Sequence, residues 1–189
     1  MNTIALTAAL TAALFAAPAT ASTVPVGTLI TATASGAATG LLGLDHLYAD
    51  EPGTGTTALS DSEPEYLTND YAAFADFFGD GRVQFTANTA DGHLPGNYTL
   101  RFSFAGLSED ITSFVLTDLS HLRSGSIAPL VIDGKTISIS FTDLVFDDLF
   151  VPFTAQLGLS AAAVPEPSSV ALIALGLGLV VVRQRRSQA

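Results

Sequence analysis

Period-two alternation of apolar and polar residues runs through the interior of the chain and constrains its fold more than any other feature. The segment "YTLRFSF" places Tyr98, Leu100, Phe102 and Phe104 on one face of an extended backbone. The segments "RVQFTAN", "TISISFT" and "FTAQLGLS", which begin at residues 82, 136 and 153, alternate in the same way. Alternation of this kind is typical of strands with one buried face and one solvated face. The sequence therefore predicts an all-β domain, in which only residues 71–78 suggest a short helical turn.

Turn residues separate the alternating segments. Asp133-Gly134 lies between two apolar runs, which is a strong hairpin signal, and Asp80-Gly81 precedes the strand that begins at Arg82. The segment "TADGHLPGN" predicts a longer hairpin loop between two strands, and residues 45–69 are rich in loop-forming residues. Short antiparallel strands at this spacing predict an antiparallel β-sandwich, for which jelly-roll connections are one form.

The N-terminal segment predicts export. An apolar run over residues 4–17 is followed by Pro18 and by the small residues Ala19 and Ala21. This order is typical of a secretory signal peptide over residues 1–21, with cleavage after Ala21 and Ala19 as the alternative. The segment before the apolar run has no Lys or Arg, and the alternatives are an uncleaved anchor or an Ala-rich leader helix.

The charge between Ser22 and Val164 is strongly one-sided. Four basic residues face seventeen carboxylates there, a formal charge of −13. Such a field repels nucleic acids and anionic lipids, so we expect no nucleic-acid partner. It favours solubility and could attract divalent cations or basic partners. The chain has no Cys, which excludes thiolate metal sites and Cys nucleophiles.

The interior contains no recognisable catalytic motif. It has no G-x-S-x-G, phosphate-loop or dinucleotide fingerprint, and His46, His93 and His121 are scattered outside any metal-binding pattern. Asn97-Tyr98-Thr99 matches a glycosylation acceptor, a pattern short enough to occur by chance. The sequence therefore predicts a protein that is not an enzyme and binds no cofactor.

Two groups of side chains offer the alternative of a secreted calcium- or carbohydrate-binding module, or of a hydrolase that uses loop carboxylates. The calcium candidates are loop carboxylates without the order of a known calcium loop: Asp76, Asp80, Asp143, Asp147 and Asp148. A solvated acidic face explains these residues equally well. The candidate platforms for sugar rings are Tyr48, Tyr66 and Tyr71, since the chain has no Trp.

The C-terminal segment has the composition of a short membrane span. Its uninterrupted apolar run, residues 170–182, contains 13 residues, about 20 Å as a helix against a hydrocarbon core of roughly 30 Å. Ser168, Ser169 and snorkelling arginines could extend it. The basic residues Arg183, Arg185 and Arg186 would stay in the cytoplasm. The segment therefore predicts a C-terminal transmembrane helix over residues 170–189, and a permanent single-pass anchor is one reading of it.

The order of features in this tail resembles the PEP-CTERM sorting signal. Pro165, Glu166 and Pro167 precede the short apolar span, and the Arg-rich end follows it. The two prolines keep Glu166 extended and clear of the span. The resemblance implies recognition by an exosortase, a membrane enzyme of Gram-negative bacteria that make exopolysaccharide.

The resemblance also implies a route for the protein. After signal peptidase acts, the protein would stay transiently in the inner membrane, be processed by the exosortase, and reach the cell surface or the extracellular matrix. There it would serve as a structural, adhesive or exopolysaccharide-associated component. The chain is then expected to divide into a signal peptide (1–21), a β-sandwich domain (22–160), a linker with the Pro-Glu-Pro motif (161–169) and a sorting tail (170–189).

Overall fold

The computed structural model describes residues 23–50 and 55–160, and within them the chain is almost entirely β. Eleven strands and one 3-10 turn follow one another in the order β1 (Leu29–Gly36), β2 (Leu41–Gly43), the turn (Leu44–His46), β3 (Thr56–Ala58), β4 (Tyr66–Thr68), β5 (Ala73–Phe77), β6 (Arg82–Ala87), β7 (His93–Ala105), β8 (Ile111–Asp118), β9 (Leu122–Asp133), β10 (Thr136–Phe146) and β11 (Pro152–Leu159). The predicted all-β class is confirmed for this part of the chain.

The strands form two antiparallel sheets with a shared core. A five-stranded sheet has the order β3-β1-β7-β10-β9, and a six-stranded sheet has the order β2-β4-β5-β6-β11-β8. Alternate residues of each long strand are buried, as the sequence pattern predicts, and the other residues face outward. The result is a β-sandwich-like fold.

Phe102 lies at the centre of the core between the sheets. Its ring centroid is 5.6 Å from that of Tyr66, 4.9 Å from that of Phe77 and 6.2 Å from that of Phe85. Phe102 belongs to the five-stranded sheet and its three ring neighbours belong to the six-stranded sheet. Because tilted and edge-to-face aromatic pairs are favourable beyond their burial, this group joins the two sheets.

The two hairpin signals that rest on Asp-Gly are confirmed. β9 and β10 pair as antiparallel neighbours on either side of Asp133-Gly134, and β6 begins at Arg82 directly after Asp80-Gly81. Gly81 has a φ of +81° and its backbone lies against the β11 residue Leu157. Since a side chain there would be strained and crowded, glycine is required at this turn.

The predicted hairpin loop at "TADGHLPGN" is wrong in two respects. His93 already begins β7, so only residues 88–92 connect β6 and β7. These two strands lie in different sheets, so the connection is an arch across the sandwich and not a hairpin. Pro95 and Gly96 of this segment lie within β7. The pairing of β7 with β10 is irregular there, since the register shifts between Thr142 and Leu144 of β10.

Two local predictions in the first half of the chain are also wrong. Residues 71–78 do not form a helical turn, because Ala73–Phe77 is the strand β5 and its burial alternates strictly. The predicted loop over residues 45–69 contains the strands β3 and β4. All three residues of β4 are buried, so no alternation was visible in the sequence.

Both ends of the described domain lie at the same end of the sandwich, here called the proximal end, with loops 59–65, 78–81, 106–110 and 134–135. The Val24 N–H donates to Gly79 O and the Ser160 N–H donates to Asp110 O, which ties both ends of the described chain to these loops. The opposite, distal end carries loops 37–40, 69–72, 88–92, 119–121 and 147–151. A segment that continues beyond Ser160 therefore leaves the domain at the proximal end.

The predicted signal helix, with Ala19 and Ala21, and the predicted C-terminal span, with Arg183, Arg185 and Arg186, lie outside the described residues. Within residues 23–50 and 55–160, no helix has the length and apolar character needed to cross a bilayer.

Candidate functional site

Five polar side chains lie close together on the outer face of the six-stranded sheet and form a group here called the polar strip: Asp76, Arg82, Gln84, Thr154 and Gln156. The sandwich core takes the residues that alternate with them on β5, β6 and β11. The polar strip therefore follows from the period-two pattern, which turns each of its members away from the core.

The strand register sets the neighbours within the polar strip. Asp76 lies opposite Gln84, Gln84 lies opposite Thr154, and Arg82 lies opposite Gln156. Side chains directly opposite each other in an antiparallel pair have Cβ atoms about 4.5–5.5 Å apart. All five residues are half-buried, so they form a continuous polar surface.

Hydrogen bonds and one aromatic contact hold the polar strip in place. Arg82 Nη1 donates to Gln84 Oε1 over 3.4 Å, and the guanidinium carbon lies 3.6 Å from the centroid of the Phe78 ring. Gln156 Nε2 donates to Asp80 O over 2.9 Å. Cation–π contact and fixed amides restrict the rotamers of these long side chains, so their donors and acceptors are preorganised.

Asp76 is the ionisable centre of the polar strip. Partial burial raises its pKa to about 6, while the Arg82 guanidinium opposes that shift and Glu63 adds to it. A carboxyl group in a partly desolvated position with a nearby cation is typical of binding surfaces as well as of structural ion pairs.

Glu65 lies beside β5, the strand that carries Asp76, and is fully buried. Its Oε1 accepts the Ser60 N–H and its Oε2 accepts the Phe77 N–H, each over 2.7 Å. Its backbone oxygen accepts the Leu44 N–H over 2.9 Å. Glu65 therefore ties the 59–65 loop and the 3-10 turn to β5, the strand that carries Asp76.

Burial raises the pKa of Glu65 from its ordinary value of 4.5 to about 7, against the backbone donors that lower it. The folded protein thus keeps a proton on Glu65 over a pH range in which the unfolded chain has released it. The stability that Glu65 contributes is then greatest below about pH 4.5 and falls as the pH rises towards 7. Asp76 acts in the same direction up to about pH 6.

We expect the free energy of unfolding to be on the order of 2 kcal/mol lower at pH 8 than at pH 5. Chemical denaturation of the purified protein at the two pH values measures this difference. The Glu65→Gln variant should lose most of the pH dependence, although it should be less stable throughout, because its amide NH2 cannot accept one of the two backbone donors.

The matched control is Glu63→Gln, since Glu63 is exposed and belongs to the same loop. This variant should keep most of the pH dependence of the unchanged protein, because Glu63 is the smallest of the three causes that shift the pKa of Asp76. An equal loss of pH dependence in both variants would show that buried Glu65 is not its source.

The structure separates the carboxylates that were candidates for a calcium site. Asp76 lies on β5 and Asp80 in the turn before β6, where Asp80 Oδ1 accepts the Arg82 N–H over 2.9 Å. The other three candidates belong to β10 and the distal 147–151 loop, and each carboxylate contacts a protein group. Asp143 Oδ1 accepts the Gly96 N–H, and Asp148 Oδ1 accepts the Leu149 N–H. Asp147 Oδ1 lies 2.9 Å from His121 Nδ1. Among the residues that the structure describes, no three His, Asp or Glu side chains form a group suited to a metal ion. Calcium binding at these residues stays a prediction.

The three tyrosines proposed as sugar platforms have different environments. Tyr66 is fully buried in the core and its hydroxyl donates to Ile30 O of the opposite sheet. The prediction that Tyr66 is a surface platform is therefore wrong. Tyr48 is half-buried with its hydroxyl on Pro64 O over 2.6 Å, and Tyr71 is exposed in the distal 69–72 loop.

Sequence reasoning missed four members of the polar strip: Arg82, Gln84, Thr154 and Gln156. Their alternation with core residues was visible, and it placed them on an outward face. Their position next to one another was not visible in the sequence, because β6 and β11 are about seventy residues apart in the chain and pair only in the folded sheet.

The comparison with protein families concerns the tail beyond the described domain. The family model of the PEP-CTERM protein-sorting motif matches residues 163–186, and the predicted resemblance is confirmed. The motif indicates an exported protein that is anchored in the membrane before an exosortase processes it. No curated protein and no solved structure matches the chain.

The matched segment begins very close to the folded domain. Ser160, the last described residue, is tied to Asp110 by its own N–H, and its hydroxyl accepts the Asp110 N–H over 2.9 Å. The family match begins at residue 163, three residues after Ser160.

Proposed function

We propose that this chain, whose PEP-CTERM motif marks it as an exported substrate of an exosortase, is a non-enzymatic component of the cell surface or extracellular matrix that associates with exopolysaccharide. Binding takes place at the polar strip on the outer face of the six-stranded sheet. The observation that carries the proposal is the side-by-side placement of Asp76, Gln84 and Arg82 on adjoining strands.

The chemistry of these side chains suits a ligand rich in hydroxyl groups. A carboxylate, an amide and a guanidinium group each present two neighbouring donor or acceptor atoms in one plane. Such pairs match the vicinal hydroxyls of a sugar ring, and planar groups bind bidentate partners with high geometric specificity. Thr154 and Gln156 add a hydroxyl and a second amide to the same surface.

Two apolar side chains lie beside the polar strip on the same face. Phe74 is half-buried on β5 and Pro152 is half-buried on β11, and Thr86 lies opposite both of them. A sugar ring has an apolar face of C–H groups as well as hydroxyls, so apolar side chains beside planar polar groups provide both kinds of contact.

The charge of the domain defines the class of polysaccharide. With a formal charge of −13 between Ser22 and Val164, the protein repels acidic polymers at moderate salt. We therefore propose a neutral exopolysaccharide as the ligand.

The orientation of the domain fits this role. The tail leaves at the proximal end, whereas the polar strip lies on the side of the sandwich. The five side chains face away from the other sheet, so the sandwich itself leaves them accessible to a polymer.

Affinity electrophoresis tests the proposal, with exopolysaccharide extracted from the producing strain cast into a native gel. The exported protein should be retarded by the neutral fraction of this material. The double variant Asp76→Ala and Gln84→Ala should bind about thirtyfold more weakly, because two hydrogen bonds of about 1 kcal/mol each are removed.

The control variant carries Thr33→Ala and Ser35→Ala, two exposed positions on the outer face of the five-stranded sheet. It should be retarded like the unchanged protein. Equal retardation of all three proteins, or of none, would contradict binding at the polar strip.

A further inference from the structure

The strand β9 is an unusually long and open edge of the five-stranded sheet. It contains 12 residues and ends the strand order of its sheet, so among the described strands only β10 pairs with it. The edge strands β3 and β2 at the other side of the sandwich contain only 3 residues each. Edge strands of this length are normally protected from pairing with other chains, most often by charged side chains.

β9 lacks charged side chains over most of its length, and Pro129 is the one residue of this stretch that cannot donate a backbone hydrogen bond. The nine residues from Ser124 to Ile132 include no charged side chain, in a chain with eighteen carboxylates. Leu130 and Ile132 are 59% and 41% exposed on the outward face. The charges stand only at the two ends of the strand, where Arg123 and Asp133 are both exposed and have opposite signs.

The hydrogen-bond pattern shows which backbone groups face the open edge. The Phe104 N–H donates to Lys135 O, so these two residues form a hydrogen-bonded pair of β7 and β10. Hydrogen-bonded and non-hydrogen-bonded pairs alternate along antiparallel strands, so the N–H and C=O of Ile139, four residues after Lys135, also point towards β7. Pro129, the β9 partner of Ile139, therefore directs its backbone to the open edge. Ile127 and Val131, two residues away on either side, do the same.

We propose that the β9 edge pairs with the β9 edge of a second copy of this chain, antiparallel and with the two-fold axis at Ala128. In this register Arg123 of each copy lies near Asp133 of the other, and the uncharged stretches lie opposite each other. Opposite charges across an antiparallel pair stabilise it, and a two-fold interface repeats each contact.

The same features favour this register over its neighbours. A two-fold axis at Pro129 would pair the two prolines with each other, so the central pair would have no hydrogen bond at all. An axis at Ile127 would separate Arg123 from Asp133 by two residues. With the axis at Ala128, Pro129 lies opposite Ile127, and the Pro129 carbonyl accepts the Ile127 N–H of the second copy.

The pairing joins two five-stranded sheets into one continuous sheet. It leaves the polar strips free, since they lie on the other sheet of each copy. The inference is therefore independent of polysaccharide binding, and either one can fail without the other.

Cysteine cross-linking tests the register directly, because the chain has no Cys of its own. In the proposed register the two Ala128 residues form a non-hydrogen-bonded pair, with Cβ atoms close enough for a disulfide. The exported Ala128→Cys variant at physiological salt should form a covalent dimer under mild oxidation. Adding Leu130→Lys, which puts a charge on each side of the pair, should abolish the dimer.

The matched control is Ser126→Cys, on the same face of β9 and also exposed. In the proposed register the two copies of this residue are four positions apart, about 13 Å along the strands, so it should cross-link far more slowly. Equal cross-linking of the two variants, a faster reaction of Ser126→Cys, or dimer formation by neither would overturn the proposal.

Discussion

Replacing Glu166 by alanine should leave the exported protein with its C-terminal tail intact. Glu166 is the single charged residue between Ser160 and Arg183, and it lies within the matched sorting motif. Proline disfavours helix at its own position and at the residue before it, so we expect Pro165 and Pro167 to leave the Glu166 carboxylate available to the processing enzyme. Loss of this one charge should then remove a contact on which recognition depends.

The measurement is the mass of the protein recovered from the membrane and from the medium. The Glu166→Ala variant should accumulate in the membrane at the mass of the unprocessed tail form. Ser169→Ala, three residues further on, keeps the prolines and the charge and should be processed normally. Normal processing of Glu166→Ala would show that the carboxylate is not recognised.

The second large effect is expected from Phe102→Ala. The ring of Phe102 is fully buried and contacts aromatic rings of three strands in the opposite sheet. Its removal leaves a cavity between the sheets and should lower the free energy of unfolding by about 3–5 kcal/mol. This is a large share of the stability of an ordinary domain, so export of this variant should fall as well.

Denaturant titration of the purified exported protein measures this effect. Phe102→Leu keeps most of the volume and should cost clearly less than Phe102→Ala. Val115→Ala is the control for a large apolar residue outside the core, since Val115 is 50% exposed, and it should change stability by less than about 0.5 kcal/mol. A similar cost for Val115→Ala and Phe102→Ala would contradict the central place of Phe102.

The fold class could be predicted from sequence because the long strands have one buried face. Phe102 and its neighbours on β7 alternate without interruption, and the same holds for β6 and β11. The strand β4 could not be predicted, since three buried residues in a row show no period. The partners of β6 and β7 could not be predicted either, because an arch and a hairpin use the same turn residues and differ only in the sheet that receives the next strand.

The sorting motif could be predicted because its parts are contiguous. Pro165, Glu166 and Pro167 stand beside the span and the basic end, so no folding is needed to bring them together. The polar strip is the opposite case. In the sequence Asp76 is one of many acidic residues. Gln84 and Thr154 come to lie beside it only through two strand pairings, of β5 with β6 and of β6 with β11.

The central claim is that the tail is a sorting signal removed from an exported β-sandwich protein, and intact-mass analysis of the exported protein tests it most directly. The predicted mass is that of a chain that begins after the signal peptide and ends at or near the Pro-Glu-Pro segment. A mass that includes residues 168–189 would contradict removal of the tail and would leave a permanent membrane anchor in its place.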